Sequence, residues 1–86
     1  MADIQIYTTA ICPYCLAAKQ FLTSRNQTYS ETRVDIDRDK RQEMVTLSGR
    51  TSVPQIFING THVGGYDDMV ALNRAGGLQP LLDAAP

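Results

Sequence analysis

The sequence predicts an α/β fold, a four-stranded mixed sheet flanked by helices in the order β-α-β-α-β-β-α. Three observations predict it. Short runs rich in β-branched residues alternate with segments whose apolar residues recur at helical spacing. The opening strand-helix-strand series implies a right-handed parallel crossover. A late Asn59-Gly60 pair adds an antiparallel hairpin at the sheet edge. The 86 residues suit a single small domain spanning 1–86.

Taken in order, Ile4, Ile6 and Thr8 alternate with Gln5 and Tyr7 as a first strand. After the loop Thr9-Ala10-Ile11, Pro13 sits where its missing N–H costs nothing, at the first position of a helix. Leu16, Ala17, Phe21 and Leu22 continue that helix to about Ser24, and Arg25-Asn26-Gln27 ends it. Thr32, Val34 and Ile36 alternate with Arg33 and Asp35 as the second strand. Asp37 or Asp39 caps a second helix, with Met44, Val45 and Leu47 as its buried stripe and Gly49 as its stop. Val53 to Ile58 reads as a strand with proline near its start, and Thr61-His62-Val63 as the returning strand. Gly64-Gly65 turns the chain. Asp67 and Asp68 cap a third helix carrying Met69, Val70 and Leu72, Gly76-Gly77 closes it, and Leu78 to Leu82 add a short terminal turn or helix. This closure is the thioredoxin-like arrangement.

Composition narrows the function classes. Apolar residues make up 43% of the chain and charged residues 20%, an ordinary globular balance. A net charge of −1 gives no basic face for nucleic acid. The start Met1-Ala2-Asp3-Ile4-Gln5 carries neither a basic segment nor an apolar run, so neither a signal peptide nor a membrane span is expected, and the expected compartment is the cytoplasm.

The two cysteines, Cys12 and Cys15, carry the chemistry. A bridge across two residues removes little entropy from the unfolded chain, so it is a poor staple. Zinc needs four ligands, and the chain offers two thiols and a lone His62, which reads as a surface residue. No metal is therefore expected, and a redox pair is the better reading. Cys12 falls at the start of the helix, where unpaired N–H groups and the helix dipole stabilise a thiolate. Cysteines so placed have pKa values of roughly 3.5–7.5. Cys15, three residues on, lies on the same face one turn deeper, placed to attack a mixed disulfide on Cys12. Tyr14 points outward at the rim.

These residues resemble a known family. Ile6-Tyr7-Thr8 with Cys12-Pro13-Tyr14-Cys15, then Ser52-Val53-Pro54-Gln55-Ile56-Phe57-Ile58, then Gly64-Gly65-Tyr66-Asp67-Asp68, occur in the order of the dithiol glutaredoxins. The likeness covers nearly the whole chain and is closest to small bacterial members of the glutaredoxin 3 type. It implies an oxidoreductase that reduces protein disulfides and glutathione mixed disulfides, with Cys12 as nucleophile and Cys15 as resolving thiol. Glutathione is then a co-substrate, with no tightly bound cofactor. The resemblance makes Pro54 a cis proline that lets the Val53 backbone pair with the cysteinyl part of glutathione. It sets Tyr14 and Tyr66 beside the tripeptide, and Asp67 and Asp68 at its γ-glutamyl end, where helix N–H groups take the carboxylate. It gives Arg41 or Gln55 to the glycine carboxylate. The implied clients are glutathionylated proteins and protein disulfides such as that of ribonucleotide reductase, met by a monomer.

Two positions depart from the pattern. Thr9 stands where many members carry lysine, leaving Lys19 or Arg41 as candidate replacements for the charge, and Tyr66 stands where a third cysteine is common. Two alternatives remain. A thioredoxin is disfavoured because the chain has no tryptophan and carries Pro-Tyr between its cysteines. An iron–sulfur carrier bridging two subunits through Cys12 and glutathione is disfavoured by the stiffness of Pro13.

Overall fold

A computed structural model describes residues 2–84. Residues 1, 85 and 86 of the expected 1–86 domain lie outside the described residues, and with them Met1 of the N-terminal reading. The elements run β1 (Ile4–Thr8), α1 (Pro13–Ser24), β2 (Ser30–Arg33), α2 (Arg38–Ser48), β3 (Gln55–Ile58), β4 (Thr61–Gly64), α3 (Tyr66–Arg74) and α4 (Leu78–Asp83). The sheet order is β2-β1-β3-β4. β1 pairs with β2 in parallel and with β3 antiparallel, and β3 pairs with β4 antiparallel. This is the mixed sheet that the alternating pattern predicts.

Both faces are covered. Ile4, Ile6, Ile56 and Ile58 point to one face and pack against Ala18 and Leu22 of α1, Met69 of α3, and Leu78 and Leu82 of α4. Tyr7 and Phe57 point to the other and meet Val34 together with Met44 and Val45 of α2. Apolar side chains on both sides of β1 explain why Tyr7, on the face opposite Ile6, is as buried as its neighbours. The Asn59-Gly60 turn has both residues in the left-handed region, φ 52° and 81°, the twist a two-residue hairpin needs. Asn59 also ties the chain together. Its Oδ1 accepts from the Asp3 N–H at 2.8 Å, and its Nδ2 donates to the carbonyls of Leu81 and Ala84.

Four expectations are corrected. The second strand stops at Arg33 instead of running to Ile36. The Arg33 guanidinium grips Asp35 through two bonds of 2.7 and 2.6 Å, and Asp35 also accepts from the Ala10 N–H, so residues 34–36 turn and Ile36 is left in solvent. α1 buries Cys15, Ala18 and Leu22, while Leu16 stays exposed, because the seam onto the sheet runs through the 15-18-22 ridge. Leu47 of α2 is also exposed, and it borders an open cleft of about 280 Å³ with Tyr7, Phe57 and His62. Finally, the cap of α3 is Gly65, not Asp67 or Asp68. Those two sit in the first turn, and Asp68 reaches back to the Gly65 N–H at 2.9 Å.

The buried Tyr7 hydroxyl donates to Glu43 at 2.7 Å. Burial, helped by the Glu43 carboxylate, pushes its pKa up to about 12. Between its unfolded value near 10 and the folded value, the unfolded chain has released a proton that the folded chain keeps. Stability therefore falls as pH rises through that window, by up to about 1.4 kcal/mol per pH unit for one proton. Urea midpoints measured from pH 9 to 12 are expected to fall less steeply for Tyr7→Phe than for the parent; equal slopes would contradict the assignment.

Candidate functional site

The site forms where three segments meet: the start of α1, the loop before β3, and the start of α3. Cys12 is the N-cap of α1, with extended backbone at φ −151° and ψ 98°. Pro13 takes the first helical position, so the first N–H able to reach back belongs to a later residue. It is that of Cys15, which donates to Cys12 Sγ at 3.1 Å. The sulfur is thus held by a backbone donor at a helix N-terminus, the environment that favours negative charge. Cys12 and Cys15 form a disulfide, with Cα atoms 5.2 Å apart. Cys12 is half-buried, whereas Cys15 is 1% exposed beneath it.

The loop before β3 approaches the same sulfur. The Val53 carbonyl oxygen lies 3.8 Å from Cys12 Sγ, and the Val53–Pro54 peptide bond is cis. From there a groove of about 180 Å³ extends between the helix starts, lined by Tyr14, Arg50, Ser52, Val53, Pro54, Gly65, Tyr66, Asp67 and Asp68. The Tyr14 and Tyr66 rings flank it, centroids 6.2 Å apart. At its far end the first-turn N–H groups of α3 have no intrahelical acceptor. Arg50 donates to Asp68 Oδ2 at 2.7 Å, and this guanidinium, with the Gly65 N–H, holds the Asp68 carboxyl below the usual carboxylate range.

Of the residues singled out from sequence, Tyr14, Val53, Pro54, Tyr66, Asp67 and Asp68 are brought together in this groove beside Cys12. Two are not. Arg41 is exposed on α2 and does not line the groove. Gln55 is fully buried: its Nε2 donates to the Ser52 carbonyl at 3.0 Å and its Oε1 meets His62 Nε2 at 2.8 Å. Neither is placed to take a ligand carboxylate. Lys19 is also elsewhere, paired with Glu31 at 2.9 Å. The cation that does line the groove is Arg50, which the sequence reading passed over. Its only local signal is its place three residues before Val53. His62 is likewise no free surface residue; burial, assisted by the nearby Arg50 charge, draws its pKa down.

Comparison with known proteins follows the same lines. The family model described as Glutaredoxin matches residues 4–63. Glutaredoxin 3 of Escherichia coli K12 is 51% identical over 82 residues, covering 95% of this chain and 99% of that one. A glutaredoxin of Pseudomonas aeruginosa is 49% identical over 84 residues, covering 98% of this chain and all of that one. Among solved structures, glutaredoxin from Brucella melitensis superposes with a TM-score of 0.82 at 44% identity, over 95% of this chain and 89% of that one. A buckwheat glutaredoxin–glutathione complex superposes with a TM-score of 0.85 at 26% identity, over 94% and 76%.

Proposed function

The chain belongs to the glutaredoxin family, and from that premise we propose that it reduces glutathione mixed disulfides and protein disulfides at the expense of glutathione. Membership makes it a thiol–disulfide oxidoreductase of the dithiol kind; the glutathione dependence and the residue roles are our reading. The observation that carries it is the groove beside Cys12, with the Val53 carbonyl at one end and opposite charges at the other. The structural likeness to the buckwheat glutathione complex supports the same ligand.

The tripeptide lies along the groove. Its cysteinyl unit pairs with the Val53 backbone beside Cys12 Sγ. Its γ-glutamyl carboxylate meets the N–H groups that open α3, its ammonium meets Asp67 or Asp68, and Tyr14 and Tyr66 flank it. Arg50, bonded to Asp68 at 2.7 Å, adds positive charge at the end of the groove that receives the γ-glutamyl carboxylate. Cys12 thiolate attacks the glutathione sulfur of a mixed disulfide. The substrate leaves as a thiolate and takes up a proton, and a Cys12–glutathione disulfide remains. A second glutathione thiolate attacks that glutathione sulfur, releasing glutathione disulfide and the Cys12 thiolate. With a protein disulfide, Cys15 attacks the Cys12–substrate bond instead, and glutathione reduces the resulting Cys12–Cys15 disulfide. The protein acts as a monomer in the cytoplasm, on clients such as ribonucleotide reductase. Among the described residues, no helix is long and apolar enough to cross a membrane.

The test is the source of electrons. NADPH, glutathione reductase and glutathione are expected to sustain turnover of a glutathionylated peptide, while NADPH and thioredoxin reductase alone leave it idle. Turnover with thioredoxin reductase and none with glutathione would sink the reading.

A further inference from the structure

His62 is the single histidine of the chain, and its ring is tied to the reactive loop. Its Nε2 lies 2.8 Å from Gln55 Oε1. The buried Gln55 amide nitrogen donates to the Ser52 carbonyl at 3.0 Å and sits 3.3 Å from Ser52 Oγ. A carbonyl can only accept, so the amide nitrogen must face Ser52 and the amide oxygen must face His62. The neutral ring therefore carries its proton on Nε2. Its plane is held by the Phe57 ring, centroids 4.9 Å apart and tilted 33°. The hydrogen bonds thus run from β4, through the first residue of β3, to the residue preceding Val53. Ser52 itself is exposed on a loop, so the interior tie through Gln55 restrains where the Val53 backbone stands relative to Cys12.

We propose that His62 is a positioning residue, which through Gln55 sets the Ser52-Val53-Pro54 segment in the orientation that receives the cysteinyl backbone of glutathione. This rests on the reading of the groove given above. A buried amide and a half-buried imidazole that merely satisfied each other would be needed for stability alone. A positioning chain must also be felt in substrate affinity, without touching the sulfur chemistry.

Steady-state deglutathionylation of a glutathionylated peptide separates these, using the parent, His62→Leu, His62→Gln and Gln55→Met, each with a thermal melt and a pH profile of Cys12 alkylation. His62→Leu and Gln55→Met are expected to raise KM about fivefold, the scale of one hydrogen bond's net contribution. Their kcat and alkylation profiles should match the parent. His62→Gln, which keeps a donor at similar reach, should return KM close to the parent value. An unchanged KM in folded His62→Leu, or a loss of melting temperature with no change in KM, overturns the proposal. Because these variants can fail to fold, the ¹⁵N spectrum of the parent supplies an independent check. The Nε2–H tautomer is expected, and the Nδ1–H tautomer would overturn the chain of bonds. If the parent shows no glutathione-dependent turnover, the groove reading fails and this inference with it. If the parent turns over and His62→Leu matches it, only the role of His62 fails.

Discussion

Cys12→Ser is expected to stop turnover of glutathionylated peptides, by about a thousandfold or more, the scale on which loss of a nucleophile removes the function of the whole site. Cys15 cannot stand in for it. At 1% exposure it lies beneath Cys12 where no incoming disulfide can reach, and it lacks the N-cap position. Cys15→Ser should behave oppositely on two substrates. A glutathionylated peptide should still turn over at a rate close to the parent, because a second glutathione resolves the intermediate. Reduction of a protein disulfide should fall steeply, because the mixed disulfide with the client then has no internal thiol to release it. The buried serine hydroxyl will cost stability, so Cys15→Ala serves as a second variant. A Cys12→Ser protein that kept peptide deglutathionylation would rule out the proposed mechanism.

Gly64→Ala carries the second large effect, this time on stability. Gly64 ends β4 at φ +112°, a conformation that strains any residue with a Cβ. A Cβ there would also stand 2.8 Å from Cγ and 2.9 Å from Cβ of Asp68. A new rotamer can move the carboxyl group away, but Asp68 Cβ is fixed by α3, so helix and strand must separate. The displaced carboxylate would lose its bonds to the Gly65 N–H and to Arg50. Backbone strain and clash together are expected to lower unfolding stability by about 2–4 kcal/mol. Because the groove shares those residues, the KM for a glutathionylated peptide should rise as well. A urea midpoint equal to the parent's would show that the turn absorbs the Cβ, contrary to this geometry.

Much of the molecule was legible in the order of its residues, for physical reasons that act locally. Pro13 after Cys12 marks a helix start because only there is a missing N–H harmless. The cysteine before it was therefore readable as the N-cap, and Cys15 as deeper on the same face. Asn59-Gly60 announced the hairpin because both residues tolerate the left-handed region. Alternation located β1, and Gly49 marked the end of α2.

The chain by itself thus determined the kinds of element, their order and the reactive pair, since each follows from backbone sterics and periodicity within a few residues. Tertiary structure decided what depends on partners far along the chain. Arg50 became the groove cation because α3 brings Asp68 to it across eighteen positions. Gln55 left the expected ligand set because β3 lies inside the sheet between β1 and β4, with its side chain sealed in and both ends of its amide bonded. The same packing drew in His62. Burial in a protein is a property of assembled layers, and a polar residue's role follows from which neighbours those layers leave it, which no local pattern encodes.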